Sequence, residues 1–364
     1  MCLQKTVAEV SLKALSDNLN VVRKKTGQKG IIAVVKANAY GHGIAEISNH
    51  IIKKDVSYLG VAYADEGVAL RRAGIQSPIL LFFDRDTAAA CIKYNLTPVV
   101  FDSAFARQLS KEASKQNRII PVHVKVDTGM GRVGLDFRKA EKEIGDIARL
   151  KNIYVEGLMS HFSDADLQDK DFANLQLGRF RSLIRNLQKK KITFRFIHMA
   201  NSAAILTMPD THFDLVRPGI MLYGYACCER GEIRPVLSLK SRIILLKKVP
   251  AGTPIGYGRT FITKRKSTIA TIPVGYADGY SRKLSNNGEV LIRGKRAPVV
   301  GRVCMDTIMV DVTGIPAVSY ESEVVLIGSQ GKESISADEL AEKTGTIPYE
   351  ILTSIGERVK RIYV

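Results

Sequence analysis

Residues 31–43 read IIAVVKANAYGHG: five apolar residues in a row, a lysine, and then small residues, a tyrosine, a histidine and two glycines. An apolar run without polar alternation suits a strand buried on both faces, as in a parallel sheet. Outward along the chain the pattern repeats as YLGVAYA (58–64), PILLFF (78–83), TPVVFD (97–102), IPVHVKVD (120–127), YVEGLMSHF (154–162), FRFIHMA (194–200) and FDLVRPGIMLYG (213–224). Polar stretches of helical spacing separate the runs, most clearly Ala104–Asn117 and Lys170–Lys190. In the second, Phe172, Leu175, Phe180, Leu183 and Leu187 are expected to form one apolar face. Strand and helix in alternation imply right-handed βαβ units, and about eight of them suit a (β/α)8 barrel of the TIM type. A doubly wound open sheet is the alternative, but it often carries a Gly-rich phosphate loop after its first strand, and none follows here.

Beyond about residue 230 the texture changes. LKSRIILLKKV, STIATIPV, EVLIRG, APVVGRV, TIMVDV and EVVLIG are short, β-branched and broken by Gly and Pro, as in an antiparallel β domain. Only Ser336–Lys343 and the segment Tyr349–Ile355 look helical there. The expected division is a barrel over 8–230 and a mainly antiparallel β domain over 231–364, which residues 1–7 can join.

The 364 residues are 45% hydrophobic and 25% charged, an ordinary globular composition. The formal net charge of +18 is scattered, with short clusters only at Lys189–Lys191, Lys247–Lys248 and Lys264–Lys266. With no basic arm, zinc-finger spacing or aromatic RNA-binding stretch, it reads as a solvated basic surface rather than a nucleic-acid site. Cys2, Cys91, Cys227, Cys228 and Cys304 fit neither a disulfide framework nor a metal pair, so reduced cytosolic thiols and no metal are expected. The start MCLQKTVAEV lacks a signal-peptide core, and no apolar stretch approaches ~18 residues, so no membrane association is expected.

In a barrel, chemistry sits at the C-terminal strand ends. Lys36 ends the first run. Burial lowers an amine's pKa and makes it a nucleophile able to form a Schiff base, although a lysine snorkelling from a strand end has the same appearance. Tyr40 and His42 follow it. The fifth run carries Lys125 and Asp127, with Arg132 among glycines beyond, a set suited to an anion or to a plain ion pair. His161 ends the sixth run. Asn201 and Ser202 end the seventh, where a helix N-terminus can be merely capped or can bind phosphate. Arg217 ends the eighth, before Pro218, Gly219 and Ile220. The β domain offers Tyr257 between glycines, Tyr276, Asp278 and Tyr280 in GYADGY, Cys304, Met305 and Asp306 in GRVCMD, and Tyr349.

Taken singly, none of these is specific. In order, however, VVKANAYGHG, KVDTGMGRVG, SHF, HMANSAAIL, RPGIMLYG, GYGRTF, GYADGY, GRVCMD and PYEIL closely resemble the alanine racemase family along essentially the whole chain. The resemblance implies a cytoplasmic enzyme that uses pyridoxal 5'-phosphate (PLP) to interconvert L- and D-alanine through an external aldimine, supplying D-alanine for peptidoglycan. It also implies a homodimer whose active sites draw on both chains. By position, Lys36 would hold the cofactor and act as one base, and Tyr257 from the partner chain as the other. Arg132 would lie near the substrate carboxylate. Lys125 matches a lysine that is carbamylated in several members. Arg217 would meet the cofactor ring nitrogen with His161 around it. Tyr40, Asn201, Ser202, Gly219, Ile220 and Tyr349 match the cofactor pocket, and Met305 and Tyr276 match substrate-side positions. Two bases on opposite faces suit inversion at a carbon. An arginine at the ring nitrogen keeps its own proton and leaves that nitrogen unprotonated, whereas related barrel decarboxylases resemble one another in placing a carboxylate there.

Overall fold

The computed structural model describes residues 6–226 and 232–364. Cys2, Cys227 and Cys228 therefore lie outside the described residues. The chain forms two compact units. One comprises Ser16–Ala39 and Ile44–Ile233; the other takes the residues up to Leu15, Tyr40–Gly43 and Arg234–Val364.

The first unit is the expected (β/α)8 barrel. Its strands are Gly30–Val34, Tyr58–Val61, Ile79–Leu81, Thr97–Val100, Ile120–Asp127, Ile153–Met159, Phe196–Asn201 and Leu215–Arg217. Each pairs in parallel with the next, and Gly30↔Leu215 and Ile31↔Val216 join the eighth strand to the first. The second, third and fourth strands are buried at every position, which is why the sequence shows runs rather than alternation. The closing seam requires a glycine: a Cβ on Gly30 would lie 2.4 Å from Leu215 Cδ2 and 2.6 Å from Ser57 Oγ.

The helix Ser103–Lys115 starts where Asp102 accepts a hydrogen bond from Phe105 N at 2.8 Å. The long helix Asp171–Lys189 forms as expected, but its apolar face is shifted. Its buried stripe is Ala173, Gln176, Leu177, Phe180, Leu183, Ile184 and Leu187, while Phe172 and Leu175 are exposed. At about 100° per residue, Leu175 stands roughly 140° away from Phe180, so the two cannot share a face. The i, i+3, i+4 series through Phe180 selects the small and branched residues instead.

In the second unit, burial alternates along strands. Val7–Val10, Leu237–Arg242 and Ile308–Asp311 each bury every other residue. The larger sheet runs in the order Lys295–Pro298, Glu289–Ile292, Glu323–Gln330, Leu237–Arg242, Val7–Val10, Lys360–Tyr363. All its pairings are antiparallel except Val7–Val10 with Lys360–Tyr363. The N-terminal strand thus belongs to this unit. A second sheet joins Leu245–Val249, Ser267–Ile272 and Ile308–Asp311. The helices Ala337–Thr344 and Pro348–Thr353 complete the unit, the first capped by Ser336. Among the described residues no helix is long and apolar enough to cross a membrane.

Candidate active site

The first barrel strand delivers Lys36, and the backbone then does something unusual. Ala37, Asn38, Ala39 and Tyr40 all hold φ between 52° and 53°, a left-handed turn made without glycine. Such residues are strained, and their surroundings must hold them. Glu66 does much of this: its Oε1 accepts from Ala37 N at 2.5 Å and its Oε2 from Ala62 N at 2.7 Å. Asn38 Oδ1 accepts from Ile44 N at 2.8 Å.

Phe83, two residues past the third strand, is the hub. The Lys36 Nζ stands 5.3 Å from its ring centroid, the Lys125 Nζ 5.2 Å, and the Arg132 Cζ 5.1 Å. Three basic groups thus gather around one phenyl ring. Asp127 does not neutralise them at contact distance, because it is spent on its own loop. It accepts from Gly129 N, Met130 N and Gly131 N at 2.9, 2.8 and 2.9 Å. Among the described residues, Lys36, Lys125, Arg132 and Arg217 form no ion pair. The cluster is an anion site in search of charge.

The electrostatics follow. Burial, then Arg132, lower the Lys36 amine below its ordinary value, with Glu66 opposing. Lys125, 3% exposed, is pushed down to about 7, first by burial, then by Arg132 and Arg217. At neutral pH that amine is neutral about half the time and can act as a nucleophile.

Arg217 ends the eighth strand and is buried. Its Nη1 donates to His198 Nδ1 at 2.7 Å, and its Nη2 faces Ser160 O at 2.7 Å, Met199 O at 2.9 Å and His161 Nδ1 at 3.0 Å. No acceptor among the described residues meets its Nε. Burial, then Arg132, bring the guanidinium down to about 9, still cationic at neutral pH. Burial and Arg217 hold His161 well below its usual range, so that imidazole is neutral.

At the seventh strand end, Asn201 Oδ1 accepts from Ala204 N at 3.0 Å, the ordinary capping role. Ser202 Oγ accepts from Gly219 N at 2.9 Å and Met221 N at 3.4 Å. The Gly219 N–H is therefore taken, while the Ser202 hydroxyl hydrogen remains to be donated outward. No acceptor among the described residues meets the Ile220 N–H.

The β unit places its own set. Tyr257 is 71% exposed on a turn between Gly256 and Gly258, whose φ values are 71° and 69°. A side chain on Gly256 would meet Met309 Cε at 2.8 Å. Met305 is 52% exposed, and Tyr276 is exposed beside it, with Ala277 N donating to Met305 O at 3.1 Å. Arg358, which the sequence did not single out, ties these loops together. It donates to Asp278 Oδ1 at 2.6 Å and Oδ2 at 3.0 Å and pairs with Asp306 at 2.8 Å. Tyr40 and Tyr349 stand ring to ring at 6.0 Å, and Tyr280 is a core residue.

Similarity to known proteins agrees with this chemistry. Residues 10–227 match the family model of the alanine racemase N-terminal domain, and residues 236–363 that of the C-terminal domain. The chain belongs to the alanine racemase family. It is 45% identical to alanine racemase 1 of Caldanaerobacter subterraneus subsp. tengcongensis, over 98% of this chain and 94% of that one. The solved alanine racemase of Clostridium difficile 630 superposes with a TM-score of 0.95 at 36% identity, covering 100% of this chain and 97% of that one. The alanine racemase of Bartonella henselae, solved with covalently bound pyridoxal phosphate, does so with a TM-score of 0.90 at 30% identity, covering 99% and 100%.

Proposed function

We propose that this protein interconverts L- and D-alanine with PLP carried on Lys36, using Lys36 and Tyr257 of a second copy as the two bases. The observation that carries the reading is the cation cluster at the barrel mouth, with a softened lysine amine and a buried arginine whose Nε lacks a partner. These residues fit the cofactor. The Lys36 amine, its pKa lowered by burial and then by Arg132, suits a covalent link to an aldehyde. Unpaired Arg132, Lys125 and Arg217 suit an anionic ligand. The free Ser202 hydroxyl hydrogen and the Ile220 N–H suit a phosphate, and the resemblance adds Tyr40 and Tyr349. Gly219 would shape that pocket rather than donate to it, since its N–H is engaged by Ser202, while Asn201 caps its helix through Oδ1 and keeps its Nδ2 donors for the pocket.

When bound, PLP withdraws electrons from the amino acid's α-carbon and makes its C–H acidic. Arg217 offers only donors, so it would hold a ring nitrogen as an unprotonated acceptor and moderate the withdrawal. Arg132 binds the substrate carboxylate. Lys36 takes or returns the α-proton on one face and the phenol of Tyr257 on the other. His161 stays neutral beside Arg217 and adds no charge. Met305 and Tyr276 limit substrate size at the entrance. Lys125 as a carbamate would turn one surplus cation into an anion and orient Arg132. A homodimer with shared sites places the exposed Tyr257 where a base is needed. The setting would be the cytoplasm, with D-alanine feeding peptidoglycan synthesis.

The deciding experiment is a racemisation assay over small amino acids, with and without added PLP. PLP-dependent interconversion of alanine is expected, and absence of racemisation from a PLP-loaded protein would refute the reading.

A further inference from the structure

A barrel core is ordinarily filled by layers of branched apolar side chains. Here a line of polar groups crosses it. It starts at Arg217 on the eighth strand and passes His198 on the seventh and His123 on the fifth, both 0% exposed. It ends at Glu156 on the sixth, which is also buried. The register makes room for it. His123 pairs with Gly157, where a Cβ would lie 2.5 Å from His123 Nδ1. Only a glycine there lets the imidazole lie across the strand.

The sense of each bond follows by elimination. An arginine has no acceptor, so His198 Nδ1 must accept from Arg217 Nη1 at 2.7 Å. The His198 proton then sits on Nε2 and is donated to His123 Nδ1 at 2.8 Å. The His123 proton in turn sits on Nε2, which meets no acceptor within hydrogen-bond distance; the Glu156 carboxylate faces it across 3.8 Å. Glu156 accepts from Tyr58 OH at 2.6 Å and from Arg195 Nη1 at 3.2 Å, which anchors the far end. Every donor points away from the active site. Protonating either imidazole would set N–H against N–H, at Arg217 for His198 and at His198 for His123. Burial holds both rings below their ordinary range, with Arg217 adding to it and Glu156 opposing it at His123.

We propose that His198 and His123 form a one-way hydrogen-bond relay, with the Glu156 carboxylate as the charge facing its last N–H, that fixes the Arg217 guanidinium and keeps its remaining donor for the cofactor ring nitrogen. The three are positioning residues, and the inference rests on the racemase reading of Arg217. Buried polar side chains are costly unless fully paired, and apolar residues would fill this space more cheaply. The relay accounts for that cost by giving Arg217 one orientation.

The test begins with the unaltered PLP-loaded enzyme, its histidines labelled with ¹⁵N. Long-range ¹H–¹⁵N spectra should show His123 and His198 as neutral Nε2–H tautomers, their signals assigned by loss in H123Q and H198N. Neither should titrate between about pH 6 and 9. A protonated ring, or an Nδ1–H tautomer at His198, would overturn the relay. Glu156→Gln then removes the charge that the last N–H faces, at the end remote from the cofactor. The absorption spectrum of bound PLP should change and kcat fall roughly tenfold, with KM and bound PLP near the parent's, as for support residues behind a ligand. An unchanged PLP spectrum and kcat would also overturn it. If Glu156→Gln does not fold, the tautomers of the parent still decide. A parent that takes up PLP without racemising alanine would refute the racemase reading instead, and the tautomers would still report on the relay.

Discussion

Lys125 shows how a residue's chemistry is set by what surrounds it. Its amine sits beside Arg132, Arg217 and Lys36 and is pushed down to about 7, so a substantial neutral fraction can attack CO2 at neutral pH. Adding ¹³C-bicarbonate should give a protein carbamate resonance that Lys125→Met lacks. A spectrum identical in both proteins would show that Lys125 stays a free amine. The same shift has a stability consequence in CO2-free apoenzyme. The unfolded chain keeps Lys125 protonated up to about 10.5, while the folded chain releases the proton above about 7. The unfolded state therefore binds more protons across that window, and stability rises with pH through it, by at most about 1.4 kcal/mol per pH unit from this group. Urea midpoints measured from pH 7 to 10 should climb more steeply for the parent than for Lys125→Met. If Tyr257 is the second base as proposed, Tyr257→Phe should depress proton removal from one enantiomer far more than from the other, measured by solvent-deuterium exchange into each. Equal small losses in both directions would argue against two bases.

At the scale of elements, the left-handed turn after Lys36 is the costliest piece of backbone near the chemistry. Glu66 spans it, receiving three backbone N–H groups from Ala37, Ala62 and Tyr63. Glu66→Ala should cost roughly 1–2 kcal/mol in urea unfolding, the range of a lost carboxylate cap on largely exposed backbone N–H groups. A loss under about 0.5 kcal/mol would mean that the turn holds itself. Glu66 also marks the limit of what a sequence discloses. All eight barrel strands were legible, because burial on both faces leaves an unbroken apolar run. The motif lysines, arginines and tyrosines were legible because they stand at strand ends or between glycines. Glu66, Phe83 and Arg358 were not, since each acts through a neighbour distant in sequence. Phe83 looked like the end of a strand, and only the structure gathers three basic groups around it. The long helix misled for a local reason: large apolar side chains at Phe172 and Leu175 outweighed the small Ala173 and the polar Gln176 that in fact face inward.

For the whole molecule, the separate inventories of the two units matter most. The barrel unit holds the lysine, the cation cluster and Arg217, and the β unit holds an exposed tyrosine on a glycine-flanked turn. Large exposed aromatics on ordered turns commonly anchor contacts with another chain. In a two-fold dimer with shared sites, each centre would take Lys36 from one copy and Tyr257 from the other. This makes a prediction that no single-chain site would satisfy. Lys36→Ala and Tyr257→Phe chains should each be nearly inactive alone. Unfolded together and refolded as a mixture, half the dimers would be hybrids, each with one intact centre and one doubly altered. Activity should recover to roughly a quarter of the parent's if pairing is random. Hybrid dimers verified by mass but without recovered activity would mean that both bases come from one chain.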